Sequence, residues 1–131
     1  MTPESESIFR SLKSILQKHA TDLAVADDTA THFSLEGNVG PATLQAWGGK
    51  VKRPKIPVAW IEIGRSYVSY HLMGVYGNAA LSDGMSRELK ARMQGKTCFN
   101  FKSDDAMLFE ELDQLTGRGI ASFRRAGFIS D

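Results

Sequence analysis

Residues 58–73 read VAWIEIGRSYVSYHLM, and this stretch decides the fold. Both of its halves, 58–63 and 67–73, are rich in β-branched and aromatic residues, which favour strands. The connection between them, Gly-Arg-Ser at 64–66, is short and polar, as is typical of a turn that joins two antiparallel strands. The stretch therefore predicts a β-hairpin in the middle of the chain.

Successive residues of a strand point to opposite faces of its sheet, so the hairpin and the last predicted strand divide their side chains into two sets. The first set is mostly apolar, as expected of a face that helices cover: Ala59, Ile61, Ile63, Val68, Tyr70, Leu72, Phe99 and Phe101. The second set mixes aromatic and polar groups and is predicted to form an open face: Val58, Trp60, Glu62, Tyr67, Ser69, His71, Met73, Cys98, Asn100 and Lys102.

Amphipathic helices are predicted at both ends of the chain. Thr2 and Pro3 suit a helix start, and apolar residues follow at helical spacing over about residues 4–24. A last helix begins after a cap at Ser103 or Asp104. It contains two glycines, at 117 and 119, which would mark a kink, a break or a close approach of the helix to the sheet.

Alternation, turn residues and prolines predict the segments in between. These are a strand over residues 29–36, a weaker strand over 42–47, an exposed loop over 50–57, an irregular stretch over 74–84 with a turn at Gly77-Asn78, a short helix from Ser86 through Met93 closed by Gly95, and a strand over 97–102. Together the segments predict a single α+β domain over residues 1–131. It is a two-layer sandwich with a mostly antiparallel sheet of four to five strands, and the N- and C-terminal helices pack on one face.

Composition excludes several classes of protein. The chain has 131 residues, 42% hydrophobic and 24% charged, which is typical of a globular domain and not of a disordered or membrane-spanning chain. The N-terminal sequence has no signal-peptide pattern. Cys98 is the only cysteine, so no intrachain disulfide can form. We therefore expect a cytoplasmic protein, without a membrane segment, that is a monomer or a weak homodimer.

Trp60 is the least expected residue on the predicted open face. One face of an antiparallel sheet is commonly polar and wet whether or not it has a function. A large aromatic side chain among polar groups, however, suggests that a small ligand, a partner protein or a loop covers part of that surface. The candidate ligand-binding residues are Trp60, Glu62, Tyr67, His71, Cys98 and Asn100.

Three segments carry a resemblance to a known family: residues 64–73 (GRSYVSYHLM), Val75-Tyr76, and residues 95–101 (GKTCFNF). In this order they resemble the small bacterial YdhG-like family of largely uncharacterised proteins. The resemblance covers about the last two thirds of the chain and implies a frataxin-like sandwich. It also implies iron handling through acidic surface residues, so iron is the cofactor that the family suggests.

Carboxylates are concentrated near the start of the last helix, and carboxylate oxygens suit hard cations such as Fe²⁺ or Ca²⁺. The candidate metal ligands are Asp104, Asp105, Glu110 and Glu111. A structural explanation is also open, because acidic residues at the start of a helix and basic residues at its end are favoured by the helix dipole.

Two further functions receive less support from the sequence. Cys98 as a nucleophile with His71 as its base would make a small cysteine-dependent enzyme, but no oxyanion donor or orienting group is marked. Four basic residues over 50–55 could contact phosphates. The net charge is only +1 and a charged loop is usually just solvated, so binding of nucleic acid is not expected.

Overall fold

The structure is a computed structural model that describes residues 2–75 and 78–131. Its helices are α1 Pro3–Lys18, α2 Pro41–Ala46, α3 Ala79–Asp83, α4 Arg87–Lys90 and α5 Ala106–Arg125, with a 3-10 turn at Met73–Val75. Its strands are β1 Ala24–Asp28, β2 His32–Val39, β3 Lys55–Ile63, β4 Val68–Leu72, β5 Met93–Gln94, β6 Cys98–Phe101 and β7 Ile129–Ser130. Tyr76 and Gly77 lie outside the described residues, and with them part of the predicted turn at Gly77-Asn78.

The strands form one antiparallel sheet in the order β1-β2-β3-β4-β6-β5, and β7 pairs with the end of β2. The predicted hairpin is confirmed as β3 and β4, in which Ala59 pairs with Leu72 and Ile63 with Val68. Helices α1 and α5 contact each other and the hairpin. The chain is therefore an α+β sandwich with its terminal helices packed on the sheet. In the described residues the sheet has seven strands, more than the predicted four to five. The sequence did not predict β5 and β7, which are only two residues long, or β1, which does not alternate.

The covered face of the sheet carries the core. Seven of the eight residues predicted there are buried, and the eighth, Ile63, is half-buried. Two hydroxyls in the core bond to each other, those of Tyr70 and Thr116, and Thr116 in turn donates to the carbonyl of Leu112 at 2.7 Å. This chain of bonds satisfies a polar group whose burial would otherwise be costly.

Helix α1 begins as predicted but ends earlier. The Thr2 hydroxyl accepts from the backbone of Ser5, and the Ser5 hydroxyl bonds back to Thr2, which closes a capping box. The helix ends at Lys18 instead of near residue 24, and the backbone of Asp22 turns into the left-handed region at φ 64°. The chain then forms β1, an unpredicted strand at the sheet edge, where exposure on both sides removes the alternating pattern.

The predicted weak strand over residues 42–47 is wrong, because this segment forms helix α2. Pro41 occupies the first turn, where its missing N–H costs nothing. The helix packs against β7, and Gly40 allows this approach: a side-chain carbon there would lie 2.3 Å from the carbonyl oxygen of Gly127. A six-residue helix held by contacts distant in sequence has too little periodicity to be recognised from sequence.

The predicted loop over residues 50–57 is partly wrong, because β3 begins at Lys55 and Ile56 is buried. The pairing of β2 with β3 skips one residue between Ala59 and Pro57, which places Val58 in a β-bulge. Val58 is fully buried and not on the open face as predicted, because the bulge shifts the alternation by one residue. Pro57 is tolerated next to this bulge because the ladder is interrupted there, so the N–H that proline lacks is not needed.

The C-terminal half follows the prediction in part: the stretch over residues 74–84, predicted to be irregular, contains helix α3, and Met93, predicted to end a helix, lies in β5. Ser86 caps α4, which ends at Lys90 instead of Met93, and the backbone of Gly95 has φ 81° in the turn between β5 and β6. The cap of α5 is Asp105, one residue later than predicted. This helix continues through both glycines, and Gly119 marks a close approach to the sheet, against Leu72 and Gly74. No helix in the described parts of the chain is both long enough and apolar enough to cross a bilayer.

Candidate functional site

The open face of the sheet carries the candidate site, on two rows of side chains that cross the strands. The central row runs from β1 to β5 through Asp27, Ser34, Trp60, His71, Cys98 and Gln94. The second row lies two residues further along the strands and comprises His32, Glu62, Ser69 and Asn100. Five of the six predicted ligand-binding residues therefore lie on two neighbouring rows.

Trp60 and His71 form a stacked pair at the middle of the central row. Their ring centroids are 4.6 Å apart and their planes differ by 9°. Each is a direct cross-strand neighbour of the other, on β3 and β4, which is where such pairs interact most closely. The pair remains accessible, because Trp60 is half-buried and the His71 side chain is 20% exposed. It is an aromatic pair held by two neighbouring strands.

His71 also contacts polar groups on both sides. Its Nε2 lies 3.9 Å from Glu62 Oε1 and 3.7 Å from Cys98 Sγ. Burial lowers the pKa of His71. The negative charge of Glu62 raises this pKa, and the neighbouring His32 lowers it. Burial likewise raises the pKa of the Cys98 thiol. A hydrogen bond from the Ser69 hydroxyl lowers this pKa, and the negative charge of Glu62 raises it further. At neutral pH the site therefore presents a neutral imidazole beside a protonated thiol.

Asn100 organises the β5 and β6 side of the site. Its Oδ1 accepts hydrogen bonds from Ser69 Oγ at 3.1 Å and from Cys98 Sγ at 3.4 Å. Its Nδ2 donates to Gln94 Oε1 at 2.6 Å. These bonds use side chains from three neighbouring strands, and they fix the positions of Cys98 and Asn100 before any ligand arrives.

Sequence reasoning missed the β1 and β2 side of the site. Ser34 Oγ accepts from the backbone of Asp27 at 3.1 Å and donates to its carboxylate at 3.2 Å. His32 Nδ1 lies 3.5 Å from the same carboxylate. The alternation in residues 29–36 already grouped His32 with Ser34, so extending the face assignment to this strand would have found both. Asp27 lay in a predicted turn and Gln94 next to a predicted helix, so no pattern marked either.

Tyr67 lies at the margin of the open face. It precedes β4, is 36% exposed, and lines a shallow depression with Glu62, Arg65 and Ser69. A second shallow depression adjoins the other side of the face, lined by Arg92, Gln94, Asn100 and Lys102 among others. Neither Trp60 nor His71 lines either depression.

The four predicted metal ligands do not come together. Asp104 accepts hydrogen bonds from Ser7 and Ser11 of α1, and Asp105 caps α5 through the backbone of Leu108. The Glu111 carboxylate binds the backbone and hydroxyl of Ser86, and Glu110 is exposed. In residues 2–75 and 78–131 no group of three or more His, Cys, Asp or Glu side chains is arranged to hold a metal ion. Three of the four carboxylates thus serve as contacts between or within elements.

Of the four basic residues at 50–55, Lys55 is the first residue of β3 and the other three precede the strand. Lys50, Lys52 and Arg53 are exposed, whereas Lys55 is half-buried and its Nζ donates to Asn38 Oδ1 at 2.9 Å. This segment is separated from Trp60 by at least five residues of strand, about 16 Å at strand rise. It is not part of the candidate site.

No protein-family model, no curated protein and no solved structure matches the chain.

Proposed function

We propose that this chain is a non-catalytic binding domain that uses the open face of its sheet to hold a small ligand or a protein. One observation carries the proposal: the Trp60–His71 stack, half-buried at the centre of two polar rows. A large aromatic ring held in place and left in contact with water loses little conformational freedom when a partner covers it. The polar side chains around it supply hydrogen bonds that give orientation.

The protonation states of Cys98 and His71 favour binding over catalysis. A cysteine nucleophile reacts as the thiolate, usually with a lowered pKa beside a cation. Here burial raises the pKa of Cys98 and lowers that of His71, so that both partners are neutral near pH 7. The proposal therefore gives both residues a role in recognition and none in bond making.

Iron handling, and membership of the YdhG-like family that suggested it, remain predictions. The observations on the carboxylates favour structural roles for Asp104, Asp105 and Glu111, which already accept hydrogen bonds within the chain. A cytoplasmic location is part of the proposal. It is supported by Cys98, a single free cysteine that can form no intrachain disulfide.

Nuclear magnetic resonance of ¹⁵N-labelled protein tests the proposal. An extract of cytoplasm is divided by ultrafiltration into small molecules and macromolecules, and each fraction is titrated separately. We expect one fraction to shift the Trp60 indole resonance together with the backbone resonances of His71 and Asn100. We also expect the substitution Trp60→Ala to weaken the effect at least tenfold, as truncation of a central aromatic contact typically does.

Met107→Ala is the matched control. Met107 is 83% exposed at the start of α5, a helix that covers the other face, so its truncation removes exposed apolar surface away from the site. The control should respond to the fraction as the parent protein does. Shifts confined to residues outside the two rows, or equal responses from the Trp60 and Met107 variants, would contradict the proposal.

A further inference from the structure

The depression beside β5 and β6 is basic and has no acidic residue in its lining. Its volume is about 410 Å³, and its polar lining residues are Arg92, Gln94, Asn100, Lys102 and Ser103. Three other surface depressions that contain an arginine also contain a glutamate, namely Glu4, Glu62 or Glu6. The depression beside β5 and β6 differs from these three because its positive charge has no carboxylate beside it in the lining.

The positive charge extends over the whole segment that forms β5 and β6. Residues 89–103 (LKARMQGKTCFNFKS) contain four basic residues, at positions 90, 92, 96 and 102, and no acidic residue. The chain as a whole has 16 basic and 15 acidic residues, so this segment departs from the balance of the rest. The acidic residues that flank it in sequence, Glu88 and Asp104, do not line the depression. The segment is therefore a local positive surface on a nearly neutral chain.

Pairing of β5 with β6 brings Arg92 and Lys102 to the same depression. The backbone N–H of Asn100 donates to the carbonyl of Arg92 at 2.8 Å, which extends the register of the two strands by one residue and sets these residues opposite each other. Lys102 comes two residues after Asn100, so it is a diagonal neighbour of Arg92, and such neighbours are within reach of long side chains. Lys102 also borders the depression of Glu4. Both cations are exposed, and in residues 2–75 and 78–131 neither side chain forms an ion pair or a hydrogen bond, with Glu4 or with any other residue.

The neutral side chains of the depression add hydrogen-bond donors. Gln94 Oε1 accepts from Asn100 Nδ2 at 2.6 Å, so the amide nitrogen of Gln94 keeps its hydrogens for another partner. The amide oxygen of Asn100 is occupied as well, because it accepts from Ser69 and Cys98. Ser103 contributes a hydroxyl, which can donate one more hydrogen bond. The depression thus presents two cations and two neutral donors, while its amide oxygens are already hydrogen-bonded.

We propose that this depression binds a phosphate dianion, either free or as the phosphoryl group of a small phosphate ester. Two cations balance the charge of about −1.5 to −2 that such a group carries at neutral pH. The guanidinium of Arg92 has parallel N–H donors that match two phosphate oxygens, and the ammonium of Lys102 supplies a compact second charge. A carboxylate carries one charge and leaves one of the cations unbalanced. The inference goes beyond the proposed function, because neither Trp60 nor His71 lines this depression.

The exposure of the two cations predicts weak binding of the phosphate group by itself. Charge interactions in contact with water are screened by salt, and long side chains lose conformational freedom when they hold a ligand. We therefore expect a dissociation constant in the millimolar range for inorganic phosphate, and weaker binding as salt is added. A phosphate ester has further groups to place, and the central row of the open face begins next to the depression, at Gln94 and Cys98.

Titration of ¹⁵N-labelled protein with inorganic phosphate tests the proposal, at about pH 7.5 and at an ionic strength held constant with sodium chloride. We expect saturable shifts of the backbone amide resonances of Arg92, Gln94 and Ser103. The substitutions Arg92→Gln and Lys102→Gln should each raise the dissociation constant at least about fivefold, because each removes one of the two charges. Both side chains are exposed, and circular dichroism checks that the variants keep the fold. Lys52→Gln removes an exposed charge outside the depression and is the matched control, which should bind phosphate as the parent does.

Two further probes identify the anion. Methyl phosphate distinguishes the two sources of the phosphate group: retained affinity assigns the depression to a phosphate ester, and lost affinity assigns it to free phosphate. Acetate at the same ionic strength should bind at least about fivefold more weakly than phosphate, because it carries a single charge. Three results would overturn the proposal: shifts that do not saturate, Arg92 and Lys102 variants that bind phosphate as tightly as the parent, or acetate that binds as tightly as phosphate.

Discussion

At the scale of single residues, Gly74 has the strictest steric requirement. The 3-10 turn after β4 crosses α5 there, and a side-chain carbon at Gly74 would lie 1.8 Å from the carbonyl oxygen of Gly119. Because the obstacle is helix backbone and not a flexible side chain, a side chain at this position forces α5 away from the sheet. A displacement of this kind affects many core contacts at once, since protein interiors are close-packed.

We expect Gly74→Ala to lower the free energy of unfolding by at least about 3 kcal/mol, the upper range for overpacking. Urea denaturation measures this. Gly84→Ala is the matched control, since its backbone is helical at φ −80° and its nearest contact would be an ordinary 3.4 Å. That variant should stay within about 1 kcal/mol of the parent chain. Similar losses in both variants would show that the close approach at Gly74 does not carry the effect.

At the scale of elements, Asp105, one of the candidate metal ligands, has a structural function at the start of α5. Asp105 Oδ1 accepts from the backbone of Leu108 at 3.2 Å, as an N-cap does. Asp105→Ala should therefore lower stability by about 1 kcal/mol, the usual cost of losing such a cap. Glu110→Ala, an exposed change on the same helix, should cost less than about 0.5 kcal/mol. Thermal unfolding of both variants decides the point, and equal midpoints would contradict it.

The elements that the sequence predicts are those with a long, regular pattern. The β3–β4 hairpin and the two terminal helices have it, and their presence and order are confirmed, although α1 ends earlier and β3 begins earlier than predicted. By contrast, β1 is exposed on both sides and α2 has only six residues, so neither has a readable period. The bulge at Val58 is not readable either, because it depends on how β3 pairs with β2.

The same limit applies to the candidate site. Alternation along β3, β4 and β6 was enough to place Trp60, His71 and Cys98 on one face, because β4 and β6 pair regularly and β3 does so from Ala59 onward. The Asp27–Ser34 contact joins β1 to β2, and no sequence pattern predicted that these strands are neighbours. The contacts within the site therefore required the sheet order, which the hairpin alone does not determine.

At the scale of the whole molecule, Asp113 of α5 connects the two covering helices. Its carboxylate lies 2.9 Å from Lys18 Nζ and 2.6 Å from His19 Nε2, at the C-terminal end of α1. Burial alone would raise the pKa of Asp113, but the hydrogen bonds and positive charges of Lys18 and His19 outweigh it and lower the pKa. A carboxyl with a lowered folded-state pKa stabilises the fold above its unfolded-state pKa, and this contribution is lost as the pH falls through the folded-state value.

Asp113→Asn should therefore remove stability at pH 7, and this loss should shrink as the pH falls below the ordinary carboxyl value of about 3.9 and the parent carboxyl is itself protonated. We expect a loss of about 1 kcal/mol at neutral pH, as for a partly exposed ion pair, and a flatter dependence of unfolding free energy on pH in acid. Urea denaturation at each pH measures both. Asp83→Asn, on the exposed surface of α3, is the control and should keep the parent's slope. If the Asp113 variant keeps that slope as well, the link between the two helices does not depend on the charge of this carboxylate.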